Sequence, residues 1–440
     1  MQFNQHFTYP RILKAVISPI IMVMFNSLYS VVDGLFLSNF AGKEAFAAVG
    51  FISPFLMMFN STGFMFGTGG SALIAKLLGE KKEKDANEVF STILIGSVLT
   101  GIVMAVAAQF VLKPIALIQG AEGQLLENSL QYGRIFILGI PLCIVQFEFQ
   151  ALYATSGKGK LGLYSSIISG VMNIVLDTVF LYVFKWGIQG AAIATVISQW
   201  VGGLIPFIYY GRKNTSMLQL VKSKFRGRDL IKSCGNGSSE MVNNISISLV
   251  SFFYNIQLIS YAGSNGIAAY GIMSYVSFFF TSIFWGYISG IAPIISYNYG
   301  DQNHSEMKNL LKKSLILISF SSIIMFILSE ILGSKITHLY AGSDRELLAI
   351  CNHGFKIFSF NFMFAGLSIF LSSFFTALNN GLISAILSLS RVFLFQIPGI
   401  LLLPKLLKLD GIWISIPAAE LLTVTLGIIF LIAKKKKYNY

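Results

Sequence analysis

Charge is scarce in this 440-residue chain: Asp, Glu, Lys and Arg make up 12% of it, against roughly 25% in soluble domains. That excludes an ordinary water-soluble fold. Cysteine is nearly absent too: Cys143, Cys234 and Cys351 are odd in number and scattered, which argues against a disulfide framework or a thiolate metal site. The four histidines, His6, His304, His338 and His353, show no ligand spacing. No glycine-rich phosphate loop, Cys-x-x-Cys pair or nucleophile elbow occurs, so neither ATP hydrolysis nor any other enzymatic activity is expected, and no cofactor. The polar N-terminus leads into an apolar run long enough to span a bilayer, so no cleaved signal peptide is expected.

What fills the chain is apolar. Hydrophobic residues make up 55% and mean hydropathy is +0.70. Runs of about twenty apolar residues recur between short polar breaks, which repeatedly meets the length needed to cross a bilayer. The reading is an all-α, multi-pass membrane protein. About twelve spans are expected, near 14–38, 46–78, 88–112, 129–156, 161–184 and 188–211, then 234–262, 267–299, 308–332, 347–377, 382–404 and 411–433. The second and eighth are long for straight spans, with Pro54 and Pro293 as candidate breaks.

The chain also repeats itself. Residues 42–86 align without a gap on 263–307, matching Gly42 with Gly263, Gly50 with Gly271, Gly69 with Gly290 and Gly79 with Gly300. Apolar composition gives chance matches of Ala or Ile but does not easily align four glycines. Two pseudo-symmetric six-helix bundles are therefore expected: 1–211, a basic inter-lobe linker at 212–232, and 233–440. Duplicated halves around a central site are a common transporter architecture.

The net charge of +13 follows topology rather than nucleic-acid binding. With the N-terminus inside, 22 of the 32 Lys and Arg residues fall on inner flanks, Lys434 to Lys437 among them, and seven on outer flanks. This bias puts both termini in the cytoplasm. The basic surplus can also touch anionic lipid.

Ionisable groups inside spans demand a reason. Asp33 lies about six residues before the first span exits, and Asp177 eight residues before Lys185. At about 1.5 Å per residue the two share a depth in the outer half. Thr195, eight residues past Gly187, returns to that level, and Asn173 is one turn from Asp177 on the same face. Such a hard-oxygen set suits Na⁺ or a proton. Asp33 or Asp177 alone can equally cap a kinked helix, and Asn173 and Thr195 can simply glue helices.

The second half holds Glu240, Arg391 and Glu420, where Arg391 would pair with Glu240 or Glu420. Glu148, with Gln146 and Gln150, is a candidate cavity wall for a cationic substrate, or a bundle-internal hydrogen-bonding group.

The run Tyr29-Ser-Val-Val-Asp33-Gly-Leu-Phe36 with Ala47-Ala-Val-Gly50 resembles the opening of multidrug and toxic-compound extrusion (MATE) transporters of bacterial type. So does Asn173-Ile-Val-Leu-Asp177 followed by Gly187, Gly190 and Thr195. The resemblance implies export of cationic or amphipathic compounds across the bacterial cytoplasmic membrane in exchange for H⁺ or Na⁺, by a monomer. It also implies a cation site at Asp33, Asn173, Asp177 and Thr195, holding Na⁺ as a metal if sodium is the coupling ion. The chain departs from the family pattern in its tenth span, 347–377, which holds no Asp or Glu. A lipid-linked precursor or polysaccharide flippase of the same wider superfamily is the alternative. It would call for a more cationic cavity than Arg134, Lys356 and Arg391 supply.

Overall fold

A computed structural model of the chain describes residues 3–222, 224–341 and 344–440. Residue 223 of the expected linker and residues 342 and 343 lie outside the described residues. Every regular element among the described residues is helical. The first half has six helices: α1 Tyr9–Phe36, α2 Lys43–Gly79, α3 Glu83–Ile118, α4 Gly123–Thr155, α5 Gly159–Asp177 and α6 Gly187–Tyr210. α1 runs on into a π-helical turn, Leu37–Ala41, and α5 into another, Thr178–Val183.

In the second half two very long helical runs carry a non-helical residue each, at Gly263 and Lys408. These breaks match turns of the first half. Gly42 and Gly263 both have positive φ, at 93° and 58°, as do Gly187 and Lys408, at 57° and 51°. The chain therefore divides into α7 (227–262), α8 (264–300), α9 (His304–Ala341), α10 (345–377), α11 (381–407) and α12 (409–438). Twelve spans result, with the expected repeat expressed in the backbone.

Two expectations need correction. Both α2 and α8 run through their prolines, Pro54 and Pro293, as unbroken helix. A proline inside a long apolar helix removes one hydrogen bond, which neighbouring helices can absorb. The real break is in α10, which consists of Arg345–Phe358 and Asn361–Ala377 bent by 46°. There Phe362 N–H turns back to the Ser359 carbonyl at 2.9 Å, and the Ser359 hydroxyl bonds Glu330 of α9.

All helices run between two faces, one of which carries both termini. Glu306, at the start of α9, accepts from His6 Nδ1 at 2.8 Å and from the Phe7 N–H at 2.9 Å. Tyr438 bonds Asn380 in the α10–α11 turn at 2.7 Å. The segment between the halves lies on this face along α3: Val221 N–H bonds Ser91, and Arg226 pairs with Asp85 at 2.7 Å.

At the terminus-bearing face the halves interlock. Phe3, Phe7, Ile12 and Val16 pack into the core of the second half, while Leu230 and Cys234 of α7 pack onto that of the first. Small residues let the backbones touch. A β-carbon on Gly69 would sit 1.9 Å from the Ser233 carbonyl oxygen, and one on Gly237 would sit 2.0 Å from that of Met65. Gly290, the partner of Gly69 in the repeat, lies against Val16, whose Cα would be 2.9 Å from such a β-carbon. Toward the other face the matched glycines Gly50 and Gly271 have nothing within 4 Å.

Candidate functional site

Three of the four residues expected at one depth, Asp33, Asn173 and Asp177, meet between α1 and α5, while Thr195 of α6 is linked to them through Tyr132. Asp177 and Asn173 both face the Asp33 carboxyl from α5. Asp177 is 0% exposed and Asn173 1%, whereas Asp33 is half-buried. Close packing sets this geometry: a β-carbon on Gly170 would fall 2.6 Å from the Phe25 ring and 3.3 Å from Tyr29. α1 thus lies directly on α5.

Neither Asp177 oxygen has a hydrogen-bond partner, nor has Asn173 Oδ1. Among the described residues no lysine or arginine pairs with either carboxylate. Thr195 bonds the Ala191 carbonyl at 3.0 Å and faces Tyr132.

Three features of the site escaped sequence reasoning. Tyr132 of α4 meets Thr195 and lies within electrostatic reach of Asp33 and Asp177, and Tyr29 stands one helical turn before Asp33. Tyr132 is nine residues past Gly123, so the counting that placed Thr195 would have placed it too. The third is the pair of π-helical turns. One starts immediately after Asp177 and the other four residues after Asp33. They touch through Phe40 and Tyr182, whose rings are 5.5 Å apart. π-Helical turns recur at functional sites because the extra residue re-aims side chains.

The second-half charges form a separate cluster. Arg391, itself in a π-helical turn at Ser390–Gln396, donates to Glu420 through Nε at 2.7 Å and its terminal nitrogen at 2.6 Å. Gln396 adds a bond at 3.2 Å and Ser368 another, so the fully buried Glu420 is well satisfied. Of the two partners expected for Arg391, Glu420 is the one it bonds. Glu240 takes a 3.0 Å bond from Ser373, while its Oε2 has no partner.

Glu148 lies elsewhere, beside the interlock. It is 0% exposed, and its backbone packs against Gly63 and Gly67 of α2. Its carboxyl faces Ser97 of α3 and lies within electrostatic reach of Cys234 of α7. Neither oxygen is hydrogen-bonded, since Ser97 gives its hydroxyl to the Leu94 carbonyl at 3.0 Å. Gln146 instead bonds Ser169 at 3.0 Å, tying α4 to α5, and Gln150 is 8% exposed.

The MatE family model matches the chain twice, over residues 19–179 and 241–402, once in each half. The multidrug export protein MepA of Staphylococcus haemolyticus is 25% identical over 423 residues, covering 94% of this chain and 92% of the relative. The probable multidrug resistance protein YoeA of Bacillus subtilis is 26% identical over 432 residues, covering 94% and 93%. A solved outward-facing multidrug resistance MATE family transporter of the MOP superfamily superposes with a TM-score of 0.90 at 20% identity. That superposition covers 99% of this chain and 100% of the other. With its duplicated twelve-helix fold and a family match in each half, the chain belongs to the MATE family of multi-pass membrane transporters.

Proposed function

We propose that the chain is a secondary active antiporter that exports amphipathic, mostly cationic organic compounds in exchange for H⁺ or Na⁺. The observation that carries this reading is the Asp33–Asp177 pair, two facing carboxylates inside the helix bundle with no basic partner. Two such charges in a low-dielectric interior need a cation between them. A proton or Na⁺ fits the oxygen donors of Asp33, Asn173, Asp177 and Thr195. The coupling ion is cargo here, taken up on one side and released on the other.

Occupancy then controls shape. A bound cation draws α1 and α5 together through their π-helical turns; its loss leaves two like charges that push the helices apart. A bulky organic cation needs the spread packing, whereas the small coupling ion stabilises the closed one, which is what exchange requires. The glycine-lined interlock at the terminus-bearing face is the gate that opens in the alternate state. The names of the MepA and YoeA relatives support an organic, drug-like cargo. The basic bias of alternate loops supports a bacterial cytoplasmic membrane location with both termini inside.

The test is export of ethidium into the lumen of everted vesicles, with a pH gradient and a Na⁺ gradient imposed in turn. One of the two gradients drives efflux and the driving ion is carried the other way. Efflux that ignores both gradients would refute antiport.

A further inference from the structure

A groove of about 450 Å³ lies at the terminus-bearing face, between the start of α5 and the end of α6. Leu161, Ile205 and Ile208 form its apolar wall, and Arg212 and Lys213 its rim. No acidic residue lines it, and no salt bridge among the described residues engages Arg212 or Lys213.

The rim is held by its own hydrogen bonds. Lys158 donates to Thr215 at 2.8 Å, which brings a third cation to the same loop. Asn214 Oδ1 accepts from the Ser216 N–H at 2.9 Å and from its hydroxyl at 2.6 Å. Away from the rim the groove opens onto apolar surface. Tyr164 and Ile168 of α5 are 59% and 48% exposed, and Leu204 and Ile208 of α6 are 43% and 56%. In a membrane-spanning helix pair such a surface faces acyl chains.

We infer that this groove binds an anionic phospholipid, its phosphate held by Arg212 and Lys213 and its acyl chains lying along α5 and α6. Free phosphate would leave the apolar wall unused. A choline headgroup would bring its own cation against the two basic residues. Basic pockets between helices at the inner membrane surface take anionic headgroups, with each Lys or Arg strengthening binding about fivefold. The site is independent of the antiport reading, because none of its residues touches the carboxylate pair.

The experiment is native mass spectrometry of the delipidated, full-length protein titrated with phosphatidylglycerol or phosphatidylcholine. The expected result is retention of phosphatidylglycerol over phosphatidylcholine, with affinity falling on the order of 30-fold in R212Q/K213Q and recovering in R212K/K213R. Replacing Lys113 and Lys405, two outer-flank lysines, by Gln removes the same charge and leaves retention unchanged. Unaltered helix content by circular dichroism shows that each variant is folded. Equal retention of the two lipids, an equal loss in the Lys113/Lys405 variant, unchanged binding in R212Q/K213Q, or displacement by millimolar inorganic phosphate would each overturn the assignment.

Discussion

Gly79 and Gly300 make one contact in opposite directions across the two halves. A β-carbon on Gly79 would lie 2.0 Å from the carbonyl oxygen of Tyr297, and one on Gly300 would lie 2.1 Å from that of Lys76. Lys76 and Tyr297 correspond in the sequence repeat, as do the two glycines, so the contact is self-complementary about a pseudo-two-fold axis.

Gly79→Ala and Gly300→Ala should therefore wedge the terminus-bearing face open. Each methyl meets backbone, which cannot swing aside, and overpacking of this kind costs about 1–3 kcal/mol. Spin labels at Lys81 and Gln302 should report a longer distance in either variant, and the double variant should exceed both. Distances like those of the parent in all three would show that the contact does not hold the gate.

Glu148→Gln tests the buried carboxyl beside that gate. A neutral amide of the same size removes an unpartnered acid from a fully buried position, so the closed arrangement should gain about 1–3 kcal/mol. The melting temperature should rise and maleimide labelling of half-buried Cys234 should slow. Faster labelling with a lower melting temperature would show that Glu148 stabilises the gate.

The Arg391–Glu420 pair should behave as structure. Glu420→Gln leaves a guanidinium in the bundle without its charge partner, a change worth about 3–5 kcal/mol of destabilisation. Yield and thermal stability should drop, while the protein that survives keeps ion-driven efflux. A stable Glu420→Gln protein that cannot couple would give this pair a transport role.

Orientation is open to a direct check. Reporters fused in 212–222 or after Lys437 should read cytoplasmic, and reporters in 113–128 extracytoplasmic. The opposite pattern would invert the assignment of the gate to the cytoplasmic side.

Much of this was legible in the residues. The glycine repeat carried over because backbone contact and positive φ tolerate little else, so Gly42 and Gly263 mark the same turn. The carboxylate site was legible because depth in a helical span is simple counting. The π-helical turns were not, since one extra residue in Leu37–Ala41 leaves no trace in apolar periodicity. Nor was the α10 bend, which has neither Gly nor Pro at Ser359 and Phe360 and depends on a bond to α9. The place of Glu148 follows from how α4 meets α2, α3 and α7, which is a tertiary fact.

The central claim is that Asp33 and Asp177 exchange the coupling ion for substrate. The direct measurement is ion-driven export into the lumen of everted vesicles carrying Asp33→Asn, Asp177→Asn or Glu240→Gln, at matched protein levels. Each Asn keeps side-chain size and one acceptor oxygen while deleting the charge. Coupling through the first half predicts that Asp33→Asn and Asp177→Asn each abolish gradient-driven efflux at near-normal stability, while Glu240→Gln retains it. Normal efflux in both Asn variants, with a well-folded Glu240→Gln protein that cannot couple, would place the exchange site in the second half and contradict the claim.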